Sequence, residues 1–404
     1  MHTTHTVHEK TKDPFPVSIL SLTVGAFAIG MTEFVIMGIL PNVSNDLGVS
    51  ISTAGQLITS YALGVAIGAP IMTILTHRLP QKLLLCLLMG LFILGNGIAV
   101  IAPNYDVLMG ARLLTALCHG TFFGVGAVIA SNLVKPHKRA GAVSIMMAGL
   151  TIANIIGVPI GTFVGQHLGW RASFAAIMLM GIIALIGIII FIPRIRQDEP
   201  AGIAKQFKAL AQPKLIAVLL ACAIGNSSLF TVFTYITPLL EQVTGFHEHS
   251  VTWILVLFGI GVTAGNIVGG KLADWKLMPA VIGIFASICV LLTIFTFTVK
   301  SPIGAVITIF LWGAASFAVM PGIQVKIMNM AHEAPALAST TNHSAGNLGN
   351  AFGAFCGGWV IDRMGLTSLP WVGAILVSIA FLVCLSIYVL ERKQEMPVQV
   401  GKPL

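Results

Sequence analysis

Long apolar stretches, separated by short polar or Pro/Gly-rich breaks, run along most of this chain of 404 residues. Each stretch has about 20 residues, the length that an α-helix needs to cross the hydrocarbon core of a bilayer. Backbone groups in lipid must be hydrogen-bonded within their own segment, so the stretches are predicted to be helices. The breaks define twelve spans with these approximate limits: 16–39, 52–74, 82–101, 107–131, 140–165, 171–192, 215–239, 250–272, 279–299, 302–328, 338–360 and 370–389.

The largest break, at 193–214, falls between the sixth and seventh spans. It predicts a polar central loop between an N-terminal bundle at 16–192 and a C-terminal bundle at 215–389. The chain ends are polar tails at 1–15 and 390–404. We therefore expect an all-α membrane protein with 12 transmembrane helices in two pseudo-symmetric six-helix bundles.

A short internal repeat relates the two halves. GGKLADWKLMP at 269–279 follows the eighth span, and TILTHRLPQK at 73–82 follows the second span. An offset of 197 residues places Asp274 opposite His77. Repeats of this kind are typical of transporters in which the binding site lies between the halves, near the midplane of the membrane.

The composition excludes a soluble globular protein. Hydrophobic residues make up 56% of the chain and charged residues only 9%, whereas soluble domains carry about 25% charged residues. The six cysteines all fall in apolar stretches, which indicates small buried side chains rather than disulfides or metal ligands. The polar first fifteen residues are not expected to form a cleavable signal peptide. We expect no metal site and no cofactor.

Lysine and arginine are distributed unequally between the two sides of the predicted bundle. With both termini on the cytoplasmic side, 18 of the 22 Lys and Arg residues fall on that side, three on the opposite side, and Arg112 within a span. Because cytoplasmic loops retain basic residues, the bias predicts that both termini and the central loop are cytoplasmic. The same bias accounts for the net charge of +8, so nucleic acid is not an expected partner.

One acidic residue stands apart from the others. Of the 14 acidic residues, only Glu33 lies well inside a predicted span, in the sequence MTEFVIMG at 31–38. Placing a carboxylate in hydrocarbon costs at least ~2.5 kcal/mol. Burial favours the protonated form of a carboxyl group, and a reversible proton carrier needs that form to be accessible. The alternative is a structural glutamate that pairs with a neighbouring side chain.

Arg112 is expected at the same depth as Glu33. Glu33 precedes Pro41 by eight residues in span 1, and Arg112 follows Asn104 by eight residues in span 4. Both then lie about 12 Å from the outer helix ends. Arg112 stays protonated, so it would either tune Glu33 or cap neighbouring carbonyls. His119 lies two turns from Arg112 and would either relay protons or hydrogen-bond across helices.

Polar and aromatic stripes mark candidate substrate contacts. In span 11, His343, Asn347 and Asn350 share one helical face, which either faces substrate or bonds to neighbouring helices. In span 7, Asn226, Phe230 and Phe233 form a second stripe, whose phenylalanines suit an amphipathic ligand or simply fill space. Asn154 in span 5 is the remaining substrate-binding candidate.

Span 5 combines small residues with a proline. Its small residues are Gly149, Gly157, Gly161 and Gly165, and Pro159 lies among them. Small residues let helix backbones approach closely, and proline removes one backbone hydrogen bond and bends the helix. The pattern predicts a tight, bent contact that limits leak between access states, or ordinary close packing.

Three motifs resemble those of the major facilitator superfamily. GKLADWKLMP (270–279) is similar to the loop motif of that family, ARLLTALCHGTFFGVG (111–126) to its span-4 motif, and GLTIANIIGVPIGTFVGQHLGWRASF (149–174) to its span-5 antiporter motif. The resemblance covers essentially the whole chain. GMTEFVIMGILP, ALCHGTFFGVG and NLGNAFGA are together most similar to the drug:proton antiporters with 12 spans and to bacterial sugar-efflux proteins of the arabinose-efflux-permease type.

The resemblance implies roles for particular residues. Arg78 and Asp274 match the loop motif and would form an inner gate, with Asp274 pairing to a basic residue or a helix N-terminus. Gly157 and Pro159 match the antiporter motif and would act in gating as well. A location in the bacterial cytoplasmic membrane and a monomeric state are implied.

The expected function is proton-coupled export of a small organic molecule by alternating access, with protons, the substrate and the lipid bilayer as partners. The drug, sugar and nucleoside classes of substrate all stay open. The alternatives are a proton symporter for uptake and a passive facilitator or channel. An enzyme is not expected, because the chain lacks a credible catalytic set. ATP-driven transport is not expected either, because the chain has no GxxxxGK[ST] phosphate-binding loop.

Overall fold

The computed structural model describes residues 16–76, 78–135, 138–193, 212–331 and 335–395, and these are helical with short connections. The helices of the first half are α1 (Val17–Gly38), α2 (Leu40–Leu47), α3 (Ile51–Thr76), α4 (Gln81–Val100), α5 (Tyr105–Asn132), α6 (Arg139–Ile152), a π-helical turn (Ala153–Gly157), α7 (Val158–Leu168) and α8 (Trp170–Phe191). Those of the second half are α9 (Pro213–Phe233), α10 (Ile236–Leu239), a π-helical turn (Leu240–Thr244), α11 (Glu248–Trp275), α12 (Leu277–Thr298), α13 (Pro302–Met330), α14 (Pro335–Met364), a 3₁₀ turn (Leu366–Ser368) and α15 (Leu369–Glu395).

Eleven helical segments in the described part of the chain are long and apolar enough to cross a membrane. The remaining predicted span, 338–360, lies in α14, which has 30 residues. Its length is sufficient, but its glycines and the polar residues Asn342, His343, Asn347 and Asn350 make it less apolar than the others. A helix that is polar at this depth is stable only where protein surrounds its polar face.

Helices of the first half pack mainly on one another, and so do those of the second half. α1 packs on α6 and α8, and α4 on α5 and α8. In the second half, α9 packs on α14 and α15, and α11 on α13. The two halves meet where α3 lies along α14 and where α7 and its π turn lie against α11. The predicted tails and most of the central loop, at 1–15, 194–211 and 396–404, lie outside the described residues.

Spans 1 and 7 break in the same way near their predicted outer ends. The helical geometry is interrupted at Ile39, with φ −110° and ψ 12°, and at Tyr235, with φ −113° and ψ 22°. Pro41 and Pro238 follow these breaks at the offset of 197 residues that relates the loop motifs. Proline lacks the N–H group that a continuous helix would use. The same local device therefore recurs in both halves, in agreement with their pseudo-symmetry.

Side-chain hydrogen bonds join the two halves near the predicted outer ends. Asn42 donates to the Glu248 carboxylate at 2.8 Å, Gln166 donates to the Glu248 carbonyl at 3.2 Å, and Thr252 donates to Gln166 at 2.9 Å. We call these four residues the outer latch. Beside them, the rings of His167 and His249 stack at 4.7 Å. The broken ends also meet, because the Thr237 hydroxyl donates to the Met37 carbonyl at 2.8 Å. The halves are thus closed against each other at this end.

Candidate functional site

Glu33 faces a histidine in the interior of the first half. The Glu33 side chain projects from α1 and is only 8% exposed. Its Oε2 atom lies 4.0 Å from Nε2 of His119, which projects from α5. The other ring nitrogen of His119, Nδ1, is hydrogen-bonded at 3.0 Å to the hydroxyl of Tyr61 on α3. Three helices therefore contribute one row of polar side chains, Glu33, His119 and Tyr61, in which only His119 and Tyr61 are hydrogen-bonded; we call it the polar chain.

Arg112 lies beside this chain, but it does not form an ion pair with Glu33 within the 4 Å that defines one. Its Nη1 atom donates to the carbonyl of Thr32 at 2.5 Å, and its guanidinium lies 4.1 Å from the centre of the Tyr61 ring. The remaining atoms Nε and Nη2 are buried and have no hydrogen-bond partner among the described residues. The carbonyl-capping alternative is thus observed, while the N–H groups of two nitrogen atoms stay available for a further acceptor.

A small hydrogen-bond network holds the backbone next to Glu33. The hydroxyl of Thr32 donates at 2.9 Å to the amide oxygen of Asn96 on α4. The Asn96 amide nitrogen in turn donates to the carbonyl of Phe92 at 2.8 Å. With the Arg112 bond to its carbonyl, Thr32 is held by α4 and α5 together. This network fixes the position from which the Glu33 side chain departs.

The polar stripe of α14 faces this region from the second half. His343 is exposed, and its helix contacts α5, which carries His119. Asn347 is buried and donates to the His343 carbonyl at 3.0 Å. The side-chain oxygens of Asn342, Asn347 and Asn350 are buried without a hydrogen-bond partner among the described residues. A buried acceptor without a partner is costly, so these oxygens are suited to binding a donor group of a ligand.

Aromatic rings form the opposite boundary. Phe34, the neighbour of Glu33, lies 6.2 Å from Phe230 and 6.4 Å from Phe233 of α9, measured between ring centres. Phe233 stacks on Phe258 of α11 at 4.3 Å, and Phe258 lies 5.7 Å from Trp312 of α13. The sequence predicted the two phenylalanines of α9, but not Phe34, Phe258 or Trp312. The first half thus contributes charge and the second half an apolar wall.

Two predicted substrate contacts are bonded within their own helices. Asn226 donates to the carbonyl of Cys222 at 3.0 Å. Asn154 lies in the π turn and donates to the carbonyl of Leu150 at 3.1 Å. The backbone of Asn154 lies against Gly259 of α11, where a β-carbon would come within 2.6 Å of the Asn154 carbonyl oxygen. Asn154 is thus located at the contact between the halves.

The small residues of span 5 pack along span 1, three of them against α1 and Gly165 against Ile39, the residue that follows α1. We call Gly149, Gly157, Gly161 and Gly165 the glycine seam. A β-carbon on Gly157 would come within 2.6 Å of Met31 and 3.1 Å of Phe27, and one on Gly165 within 2.5 Å of Ile39. Pro159 is buried at the start of α7, directly after the π turn. The seam therefore joins span 5 to the helix that carries Glu33.

The predicted inner gate is not engaged in this structure. Arg78 and Asp274 are both exposed, Arg78 after α3 and Asp274 near the end of α11. No hydrogen bond or ion pair joins either residue to another described residue. The expected pairing of Asp274 is therefore not seen. It would require a different arrangement of the inner helix ends.

The fold and the buried polar centre define a polytopic membrane transporter built from two halves, and not an enzyme. Residues 22–349 match the family model of the Major Facilitator Superfamily, and the chain belongs to that family. It is 42% identical over 377 residues to the inner membrane transport protein YdhP of Escherichia coli (strain K12), covering 93% of this chain and 96% of that protein.

Two further relatives carry names that refer to resistance or export. The chain is 29% identical over 375 residues to the chloramphenicol resistance protein of Streptomyces lividans, with 91% and 95% of the two chains covered. It is 28% identical over 367 residues to a Mannheimia succiniciproducens protein named "Probable sugar efflux transporter", with 90% and 92% covered. The fold is similar to that of a bacterial homologue of the human lysosomal transporter Spinster, with a TM-score of 0.69, 17% identity, and 94% and 98% of the two chains covered.

Proposed function

We propose that the protein is a proton-coupled antiporter that exports a small organic molecule by alternating access. The observation that carries this proposal is the Glu33–His119 contact beside Arg112, buried in the interior of the first half. A carboxyl, an imidazole and a guanidinium with free N–H groups form a site whose net charge changes by one when Glu33 takes up a proton. Intramembrane groups of this kind are typical of proton relays in transporters.

Protonation of Glu33 would alter which contacts hold α1 in place. The ionised carboxylate attracts both His119 and Arg112, whereas the neutral acid keeps only a hydrogen bond. Glu33 lies on the same helix that packs on the glycine seam and ends at the break before α2. A change in attraction at Glu33 therefore acts on the helix that also contacts α10 of the second half at its outer end.

The substrate would bind between the polar centre and the aromatic wall. The unpaired amide oxygens of α14 accept hydrogen bonds, and the rings of α9 and α11 provide an apolar surface. This combination suits a neutral or cationic amphipathic molecule with hydrogen-bond donors. Sugars, nucleosides and lipophilic drugs all satisfy that description. The names of the resistance and sugar-efflux relatives support export over uptake.

The closed outer latch and the unengaged Arg78 and Asp274 support a state in which the site is reached from the predicted inner side. Alternating access then requires the latch to separate while the inner ends close. We infer from the Lys/Arg bias that the inner side is the cytoplasmic side, and that both termini are there.

Flux in proteoliposomes with an imposed pH gradient tests the proposal. Purified protein would first be screened for thermal stabilisation by sugars, nucleosides and lipophilic cations, and the stabilising compound used as the transported probe. An antiporter moves the probe against its gradient and in the direction opposite to the proton gradient. Movement in the same direction would identify a symporter, and flux that ignores the pH gradient would identify a facilitator. Either of these two results overturns the proposal.

A further inference from the structure

Tyr61 occupies the far end of the polar chain that begins at Glu33. We propose that Tyr61 is a positioning residue for proton coupling: its hydroxyl holds the His119 ring so that Nε2 faces Glu33, in both protonation states of the glutamate. This proposal rests on the function proposed above. Tyr61 lies on α3, a helix that contributes none of the coupling residues predicted from the sequence.

The contacts of Tyr61 are specific to its two parts. The side chain is 2% exposed, and its ring packs edge-on against His119 with 5.9 Å between ring centres. The Arg112 guanidinium lies over the same ring, and the hydroxyl bonds to His119 Nδ1 at 3.0 Å. The ring therefore contacts both Arg112 and His119, while the hydroxyl bonds to His119 alone.

A hydroxyl is suited to this position because it can both donate and accept. When Glu33 is ionised, the favoured tautomer of neutral His119 carries its proton on Nε2, towards the carboxylate, and Tyr61 donates its O–H to the bare Nδ1. When Glu33 is protonated, the bare Nε2 faces the acid, and Nδ1–H donates to the Tyr61 oxygen. The change from the first state to the second takes up one proton: the Nε2 proton moves to the Glu33 carboxylate, the incoming proton binds at Nδ1, and the Tyr61 hydroxyl turns from donor to acceptor.

The other ionisable groups around the chain come from each helix that packs there. Glu33 projects from α1, Arg112 and Cys118 from α5, and His343 from α14. A Tyr61→Phe substitution leaves all of these groups in place. It also retains the aromatic face beneath Arg112, since phenylalanine binds a cation in the same manner. Only the tautomer control exerted by the hydroxyl is removed.

The structure offers a matched control. The hydroxyl of Tyr105, on α5, also donates a partly buried hydrogen bond within the first half, to the Thr53 carbonyl of α3 at 2.7 Å. Tyr105→Phe therefore removes a comparable bond between the same two helices, far from Glu33. Differences between the two variants then report on His119 and not on the packing of α3 against α5.

The test uses the full-length protein in lipid and needs no transported compound. The infrared carbonyl band that disappears in Glu33→Gln follows protonation of Glu33, and ¹⁵N NMR signals that disappear in His119→Gln report the tautomer of His119. Without the hydroxyl, the His119 ring is no longer held with Nε2–H towards the ionised carboxylate, so we expect Tyr61→Phe to raise the midpoint of the Glu33 titration by about 0.5–1 pH unit. We also expect the His119 tautomer to stop following that titration. Tyr105→Phe should behave as wild type.

Three outcomes are decisive. Wild-type behaviour of Tyr61→Phe in both spectra would overturn the positioning role and leave the antiporter proposal intact. A shift of the same size in a His119→Gln background would show that Tyr61 acts on Glu33 without the histidine, which also overturns the role. Absence of any Glu33 titration in the wild-type protein would instead overturn the proton-coupling proposal itself.

Discussion

His119 Nε2 lies 4.0 Å from Glu33 Oε2 across the contact between α5 and α1, so the charged or ionisable side chain nearest to Glu33 is His119 and not Arg112, which was predicted at the same depth. Arg112 lies nearby, but its Nη1 donates a hydrogen bond to the backbone carbonyl of Thr32. The guanidinium thus acts on Glu33 through space, while the imidazole is its direct neighbour. Proton exchange at Glu33 is therefore expected to depend on His119 geometry and on Arg112 charge separately.

Glu33→Gln should abolish export driven by a pH gradient. Glutamine keeps the size and hydrogen bonding of the side chain but does not ionise, so it cannot take up or release a proton. Exchange of substrate across the membrane should survive, because exchange needs no net proton movement. The measurement is substrate-induced proton release from purified protein, with the compound found in the stability screen. Release at the wild-type level by the variant would show that Glu33 is structural.

Asp274→Asn should slow transport and leave substrate binding almost unchanged. Asp274 is exposed and unpaired in this structure, so its charge contributes little to the state that is closed at the outer end. Its proposed role lies in the opposite state, where the inner helix ends approach. Asp274→Glu is the matched variant and should restore part of the rate. Weak binding together with normal turnover would argue against a gate.

Gly157→Leu should lower the melting temperature and uncouple or stall transport. A β-carbon added at this position would come within 2.6 Å of Met31. Overpacking of this kind typically costs ~1–3 kcal/mol. Gly124→Leu is the matched control, because Gly124 is exposed on α5 and has open space around it. Coupled export at the wild-type rate by Gly157→Leu would contradict a functional glycine seam.

Stability of the outer end should depend on pH through Glu241, which follows α10. Burial, and then the nearby Glu248, raise the pKa of Glu241 from 4.5 to about 7. Because the folded protein binds this proton more tightly than the unfolded chain, stability should fall as the pH rises between these two values and level off above them. Thermal unfolding from pH 5 to 8 measures this slope. Glu241→Gln should flatten it, and the exposed Asp362→Asn should not.

Both termini should be cytoplasmic. The prediction rests on the Lys/Arg bias and is tested with single cysteines in a background from which the six native cysteines, all in spans, have been removed. A membrane-impermeant maleimide applied to intact cells should label His247→Cys, in the loop before α11, and spare Ile203→Cys, in the central loop. The reverse pattern would invert the assignment of the latch to the outer side.

The sequence predicted the fold well because each feature depended on local composition. Apolar length located the helices, and α14 was found in spite of its asparagines because its flanking breaks and glycines matched a span. The burial of Glu33 followed from its apolar surroundings alone. Its depth relative to Arg112 was also predictable, since the axial rise per residue is the same in both helices.

The partners of Glu33 were harder to predict because they depend on how helices rotate against one another. Tyr61 stands in an apolar run, SYALG, and its composition is that of an ordinary core residue. Only the packing of α3 against α5 brings its hydroxyl to His119. Phe258 and Trp312 were missed for the same reason. Isolated aromatic residues in a membrane helix give no sign of whether they face lipid, a neighbour or a ligand.

The π turn at Ala153–Gly157 changes the direction in which the side chains after it point relative to those before it. The composition of span 5 does not reveal this rotation. A hydrogen bond from i to i+5 spans one more residue than an α-helical bond. With about 100° per residue throughout, Gly149 and Gly165 would point about 160° apart, yet both pack along span 1. The turn thus acts as a built-in one-residue insertion. A single-residue deletion at Ile155 would rotate α7 by about 100° and turn Gly161 and Gly165 away from α1, so the helix is more vulnerable to a change in length here than to a substitution at one seam glycine.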